Sequence, residues 1–333
     1  MIQKIYDPFN YEMDTRTVVT IGKFDGIHRG HQELIRRAVR YARAETAAGR
    51  PTKSVVFSFD MAPAMILTSE ERARMLESMG VDAIAECEFG PKICRMSAEV
   101  FISLVLVRKM HICHIIVGPD FRFGYERRGD AAMLQAVGTG ADLREEERFT
   151  TEVVSAVRDE KTGEKISSTR VRNELSEGHM ERVNALLGYT YFVSGEIIRG
   201  RQVGRTIGIP TANLRPDPSK ILPPKGVYES RSVVTVSERT LDPAVNESVA
   251  ADVFHYRKRF NGVTDIGTKP TVGGTFVGVE TYFFDCDEDL YGKNLRVELL
   301  HFARPEMKFR TLDELKAQIL GDAERGRRYF RNL

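Results

Sequence analysis

The chain has 333 residues, 42% of them hydrophobic and 29% charged, with a formal net charge of +2. That length accommodates two domains, and that composition predicts a packed, soluble protein. The small net charge excludes a protein built mainly for duplex nucleic acid, and the apolar run of note, Phe101 to Val107, is too short to cross a bilayer.

In chain order, Met1 to Asp7 lacks the apolar core of a secretory leader, so a cytoplasmic location is expected. Thr17–Ile21 is a β-branched run and predicts a buried strand. Residues 22–31, Gly-Lys-Phe-Asp-Gly-Ile-His-Arg-Gly-His, follow it directly. The helical spacing of Leu34, Ile35, Ala38, Val39 and Ala42 then predicts a helix that begins near Gly30 and occupies Gln32–Ala48. His28 and His31 are thus placed where a strand ends and a helix starts. The free amides of that helix attract phosphate, and protonated histidines add positive charge as a phosphoryl transition state develops. The plainer reading of such a histidine is a helix cap. The strand–turn–helix setting and the preceding Phe24-Asp25-Gly26 favour the nucleotidyltransferase signature His-x-Gly-His.

Further strands are predicted at Ser54–Phe59, Ala83–Cys87 and His114–Val117, and helices at Ser69–Met79 and Ala98–Lys109. Such alternation predicts a parallel sheet covered by helices on both faces, with ligands bound beyond the carboxyl ends of the strands. Gly22–His31 and Gly118–Gly124 both fall there. The cysteines Cys87, Cys94, Cys113 and Cys286 form no C-x-x-C pair, and their apolar settings predict reduced, mostly buried thiols. His111-Ile112-Cys113-His114 leads into Ile115-Ile116-Val117 and reads as a strand with a core-facing thiol, not a metal site.

The loop Gly118-Pro119-Asp120-Phe121-Arg122-Phe123-Gly124 is either a plain turn with two core aromatics or a rim that stacks on a planar ring. In Ile166-Ser167-Ser168-Thr169-Arg170-Val171-Arg172, hydroxyls at a helix start can cap it or bind phosphate, and Arg172 can grip phosphate oxygens with two donors.

After about Gly188 the pattern changes to successive strands, including Tyr191–Ile198, Val227–Val236, Val277–Phe284 and Leu295–Phe302. This predicts a small antiparallel barrel. A last helix is expected after Thr311, with Thr311 as N-cap and Glu314 at the capping-box position. The expected domains are 1–187 and 188–333. In the second, Gly204-Arg205 and Gly208-Ile209-Pro210 let backbone amides approach phosphate, and Thr211 and Asn213 offer hard oxygen ligands for magnesium. A twisted hairpin explains the same residues, and this stretch alone does not choose.

Taken together, the chain resembles the bacterial bifunctional riboflavin kinase/FMN adenylyltransferases. Segments carrying the resemblance are GKFDGIHRGH at 22–31, VGPDFRFG at 117–124, ISSTRVR at 166–172, GRTIGIPTANL at 204–214, LPPKGVY at 222–228 and GVTDIGTKPTVGG at 262–274. VETYFFD at 279–285 and LYGKNLRVELLHFARPEMKF at 290–309 complete it. The resemblance implies an α/β nucleotidyltransferase-like domain, then a riboflavin kinase barrel with a C-terminal helix. It implies ATP-dependent phosphorylation of riboflavin to FMN, then AMP transfer to FMN giving FAD and pyrophosphate, with Mg2+ as cofactor. His28, His31 and Glu280 are the implied catalytic groups, Glu280 as the base for the riboflavin alcohol. Gly22, Phe24, Asp25, Gly30, Ser168, Thr169, Arg172, Gly204, Arg205 and Gly208 are the implied ATP and phosphate contacts. Asp120, Phe121 and Phe123 are the implied flavin contacts, and Thr211 and Asn213 the implied metal ligands. ATP, riboflavin, FMN and FAD are the expected partners, with neither nucleic acid nor membrane, and the oligomeric state is left open.

The chain departs from the family pattern in places. Phe57 to Pro63 lacks the usual His-Pro pair, Tyr282 stands where a histidine is usual, and Ser237 to Lys258 is longer and more polar than the usual connection. Other readings are a descendant with one active domain, a flavin-binding regulatory protein, or a different His-x-Gly-His adenylyltransferase, which the Pro-Thr-Ala-Asn barrel disfavours.

Overall fold

Runs of valine and isoleucine that are buried on both faces build the first sheet, as expected for parallel strands sandwiched between helices. The computed structural model describes all residues except 1, 61–63, 89, 142, 200–208, 236–255, 272–273, 287 and 289. The chain divides into two units, Met1–Ser168 and Thr169–Leu333.

The first unit runs β1 (Gln3–Ile5), β2 (Arg16–Gly22), α1 (Arg29–Ala47), β3 (Thr52–Asp60), α2 (Ser69–Ser78), β4 (Ala83–Glu88) and α3 (Pro91–Cys94). It continues with α4 (Ala98–Val100, prolonged by π-helical turns over Phe101–Lys109), β5 (Ile112–Val117), β6 (Arg122–Phe123), β7 (Gly129–Asp130), α5 (Ala131–Gly138) and β8 (Thr150–Val153). One sheet has the order β1-β4-β3-β2-β5-β8, and every pairing in it is parallel. Alternation along β2 sends Val18 toward Ala38 and Ala42 of α1, and Val19 and Ile21 toward Phe101 and Val105 of α4. The predicted strands are all present, each extended by at most two residues at an end. The edge strands β1 and β8 were not foreseen, because 3 and 4 residues are too few to show a period. Cys113 packs partly buried beside Val18, whereas Cys94 is exposed, so burial of the thiols holds only in part.

The second unit opens with α6 (Ser168–Glu177, whose first residue closes the first unit) and α7 (Met180–Leu187). β9 (Phe192–Ile198), β10 (Thr211–Leu214), β11 (Gly226–Thr235), β12 (Tyr256–Thr271), β13 (Gly274–Phe283) and β14 (Asn294–Pro305) follow, then α8 (Leu312–Arg331). The strands close into an antiparallel barrel in the order β10-β13-β12-β11-β14-β9. α7 is tied to the barrel through Asn184, which donates to the Leu299 carbonyl at 3.0 Å and accepts the Tyr191 amide at 2.7 Å. β12 was not predicted as a strand. Its glycines interrupt the alternation, and Gly262 is required by close approach: a Cβ there would lie 2.3 Å from the Tyr282 carbonyl. Inside the barrel, Thr264 joins Ser230 and Thr281 at 2.7 and 2.8 Å, so the buried hydroxyls satisfy one another.

Thr311 caps α8 as expected, accepting the Glu314 amide at 3.2 Å. The reciprocal half of the box is absent: the Glu314 carboxylate accepts from the Arg310 amide, one residue before the cap. α8 covers Val227, Val263 and Phe284 through Ala323 and Phe330.

The most demanding buried group of the first unit is Arg72, which is fully enclosed and donates to Glu86 at 2.7 Å, with Ser69 donating to the same oxygen at 2.6 Å. This ties α2 to β4. Replacing Glu86 by Ala removes a buried carboxylate that this guanidinium meets and should cost about 3–5 kcal/mol. The urea midpoint of the first unit's transition should fall with its slope unchanged; an unmoved midpoint would show that the pair is dispensable.

Candidate active sites

In the first sheet, β2 lies between β3 and β5, where the strand order reverses. Parallel sheets open a crevice beyond the carboxyl ends of their strands at such a point. Gly22–His31 leaves the sheet from β2 and Gly118–Gly124 from β5, so both predicted segments meet this crevice. The chain turns there through left-handed backbone at Phe24 (φ 46°), Gly26 (φ 80°) and Ile27 (φ 37°). Such conformations cost a residue with a side chain on the order of 1–3 kcal/mol. Burial offsets this: the Phe24 and Ile27 side chains are fully enclosed, and Asp25 Oδ1 accepts the Ile66 amide at 2.7 Å.

This turn delivers His28 as the N-cap of α1, its Nδ1 accepting the His31 amide at 3.3 Å. A ring nitrogen that accepts carries no proton, so neutral His28 bears its proton on Nε2. The two imidazoles stack with centroids 3.7 Å apart and planes 17° apart, and Phe24 packs on His31 at 5.0 Å. Gly30 leaves room for this: a Cβ there would lie 3.2 Å from the His28 ring. Burial lowers the His28 pKa to about 4, with Lys165 a smaller contributor, and burial followed by the charge of His28 holds His31 well below its ordinary value. With no ligand bound, both rings are therefore held neutral at neutral pH and offer N–H donors. His31 Nδ1 is buried with no hydrogen-bond partner. Ser168 donates to the Asp25 carbonyl at 2.8 Å, which holds its hydroxyl beside the turn. Thr169 lies on the first turn of α6 and Arg172 on the second, and both belong to the second unit.

Beside the turn is a cavity of about 380 Å³ that takes in Gly22, Asp120, Phe121 and Phe123. Phe121 and Phe123 stack at 5.3 Å, and Phe123 is buried against Phe101. Phe123 is thus a core aromatic, as the plainer reading of this loop has it, and it also lines the cavity. Asp120 is ion-paired with Lys165, which holds its carboxyl below the usual range.

The second unit carries its own site on the outer face of the barrel, under α8. Alternation along β10 buries Ala212 and Leu214 and puts Thr211 and Asn213 together on the other face. Antiparallel register sets Asn213 opposite Glu280, and Thr211 opposite Tyr282. The Thr211 hydroxyl donates to Glu280 Oε1 at 2.5 Å. Thr211, Glu280 and Tyr282 line a cavity of about 270 Å³. Gly204, Arg205 and Gly208, and most of the long connection from Ser237, lie outside the described residues.

A riboflavin kinase family model matches residues 187–330, and an FAD synthetase model matches residues 10–170. The Escherichia coli K12 bifunctional riboflavin kinase/FMN adenylyltransferase is 35% identical over 320 residues, spanning 94% of this chain and 92% of that protein. Its Bacillus subtilis 168 counterpart is 31% identical over 331 residues, spanning 97% and 95%. A crystal structure from Streptococcus pneumoniae described as a macrolide-efflux protein matches with a TM-score of 0.77 at 28% identity, over 98% of each chain. The chain belongs to the bifunctional riboflavin kinase/FMN adenylyltransferase family. Both catalytic domains of that family are present, and its architecture is the one observed: a parallel sheet, a closed barrel and a C-terminal helix. Among the described residues no helix is long and apolar enough to cross a membrane.

Sequence reasoning missed several groups at the kinase cavity. Asp265 pairs in register with Glu280, extending the polar row to a third strand. Arg304 lines the cavity and is held by buried Asp322 of α8 through Nε and Nη2, the latter at 2.6 Å. Register could have revealed Asp265, given the β12–β13 pairing. Nothing local in the sequence marks the Arg304–Asp322 contact, which joins residues 18 apart through tertiary packing.

The buried histidines make stability depend on pH. His28 stays neutral in the fold down to about pH 4, whereas its unfolded value is 6.5. Across that window the unfolded state binds more protons, so stability is lost as pH falls, by at most about 1.4 kcal/mol per pH unit for each such histidine. Urea midpoints between pH 7 and 4.5 should drop more steeply for wild type than for His28→Gln. Identical slopes would contradict neutral burial of His28.

Proposed function

We propose that the histidine turn and its neighbouring cavity adenylylate FMN, and that the barrel face bearing Glu280 phosphorylates riboflavin. The chain is an ATP-dependent enzyme of both reactions: riboflavin becomes FMN, and FMN becomes FAD with release of pyrophosphate. The observation that carries the assignment of sites is that each unit holds its own cavity beside its own set of reactive groups.

In the first reaction an FMN phosphate oxygen attacks the α-phosphorus of ATP, and the bond to the β-phosphate bridge oxygen breaks. The attacking group is already ionised, so no strong base is required; the demand is for alignment and charge stabilisation. Neutral, stacked His28 and His31 serve as fixed N–H donors to the phosphates of ATP, and their protonation becomes favourable as anionic oxygens approach. Gly22, Phe24, Asp25 and Gly30 shape the turn that aims them, with Ser168 as a further phosphate contact. The flavin ring occupies the cavity of Asp120, Phe121 and Phe123.

In the second site the riboflavin 5′-hydroxyl attacks the γ-phosphorus, its proton passes to Glu280, and ADP leaves. The Thr211 hydroxyl directs its proton to Glu280, which leaves its oxygen lone pairs for a hard cation. The family generally uses a divalent metal, and the Thr211 and Asn213 oxygens fit Mg2+, which when bound would neutralise phosphate charge. Gly204, Arg205 and Gly208 complete the ATP-phosphate loop in this proposal, with functional domains of 1–187 and 188–333 and a cytoplasmic location.

His31→Ala should lower FAD formation from supplied FMN about a hundredfold while riboflavin phosphorylation stays near wild type. Glu280→Gln should do the reverse, cutting phosphorylation by about a hundred- to ten-thousandfold at saturating riboflavin and Mg-ATP. Chromatographic quantification of FMN and FAD reads both. Equal loss of the two reactions in either folded variant would refute the assignment of separate sites.

A further inference from the structure

The adenylylation cavity is lined by two chemically different sets of side chains. Its floor is apolar, formed by Phe59, Phe101, Phe121 and Phe123 with Met96. Its polar lining includes Lys23, Arg122 and Arg127. These cations differ in their partners. Arg122 is paired with Asp130 at 3.3 Å. The side chains of Lys23 and Arg127, both exposed, have no carboxylate partner among the described residues.

The backbone that carries each unpaired cation is anchored. Lys23 stands between Gly22, the last residue of β2, and Phe24, the first left-handed residue of the histidine turn. Its carbonyl accepts the Ser58 hydroxyl at 3.2 Å. Arg127 lies in a turn with consecutive left-handed residues, Glu126 (φ 54°) and Arg127 (φ 59°). That turn is anchored at its start: the Tyr125 amide donates to the Met96 carbonyl at 2.7 Å, and a Cβ on Gly124 would lie 2.7 Å from the Ala98 amide nitrogen. The Arg127 amide donates to the Gly124 carbonyl at 3.0 Å, closing the turn.

We propose that Lys23 and Arg127 are the residues that recognise the phosphate of the flavin acceptor, and so make the first site select FMN over flavins without a phosphate. The inference rests on the assignment of FMN adenylylation to this cavity. A flavin is an apolar tricycle with a charged tail, and the cavity offers an aromatic floor and two cations left over for a dianion. Lys23 adjoins the turn that carries His28 and His31, so a phosphate held there faces the groups that align ATP. The ring alone gains the apolar contacts and misses both charges.

The experiment uses the full-length enzyme, FMN as acceptor and lumiflavin, which has the ring but neither ribityl chain nor phosphate, as competitor. Lys23→Gln and Arg127→Gln should each raise the KM for FMN about tenfold, and the double variant about a hundredfold. The inhibition constant of lumiflavin against FMN should stay within twofold of wild type, as should the KM for ATP. Arg127→Lys, which keeps the charge, should recover most of the lost affinity. A lumiflavin constant that rises in step with the KM for FMN would show that the residues shape the ring pocket, and an unchanged KM would show that they do not meet the phosphate; either overturns the proposal. Wild-type enzyme that forms no FAD from FMN would instead overturn the assignment of the reaction itself.

Discussion

The histidine turn depends on one hydrogen bond, from the His31 amide to His28 Nδ1. It satisfies a helix-start amide that would otherwise be orphaned. It also fixes the tautomer of His28 and lays the two rings face to face. The bond exists because the chain leaves β2 through left-handed backbone at Phe24 and Ile27, which only their complete burial sustains. Strain and catalysis are coupled here: relaxing the turn would release Phe24 from His31 and spoil the aim of both rings. Neutral stacked imidazoles are compatible with a buried site, whereas two adjacent imidazolium rings would repel until phosphate oxygens arrive.

The kinase site follows from the period of two along antiparallel strands. Ala212 and Leu214 turn into the barrel, so Thr211 and Asn213 must turn out. The same alternation places Thr281 in the interior hydroxyl network and sends Glu280 and Tyr282 to the outside. A one-residue slip of β13 against β10 would bury Glu280 in the barrel and expose Val279 or Thr281 to the cavity. The ladder that closes the barrel thus also sets the Glu280 carboxylate beside the Thr211 hydroxyl. α8 then covers this face, with Leu315 and Ile319 supplying apolar wall and Asp322 holding Arg304.

Much of this was legible in the sequence because the signals are local. The β-branched run at Thr17–Ile21, the helical spacing after Gly30 and the punctuation of the histidine turn each specify backbone over a few residues. The resemblance added roles to Glu280, Thr211 and Asn213 that spacing alone left open. What escaped were features made by distant chain segments. The edge strands β1 and β8 form only because a neighbour offers hydrogen bonds, and β12 pairs along its length despite glycines that erase its pattern. The resting protonation state of the histidines was out of reach for the same reason: sequence shows that a ring can be charged, and only packing shows that burial lowers its pKa. Glu314 illustrates the limit on a smaller scale, since its carboxylate chose the Arg310 amide over that of Thr311.

The contrast between the sites follows from the nucleophiles they serve. A phosphate is anionic when it attacks, so the first site needs no base and is built from donors: helix amides, imidazole N–H groups and hydroxyls near the turn. An alcohol must lose a proton as it attacks, so the second site needs a carboxylate, and a carboxylate near ATP would repel the phosphates. The barrel answers that repulsion locally. Glu280 accepts the Thr211 hydroxyl, and Asn213 stands opposite it with a neutral oxygen, so hard ligands for a compensating cation flank the base. A carboxylate in the first site would weaken it, and there the conspicuous acid of the cavity, Asp120, is already engaged by Lys165.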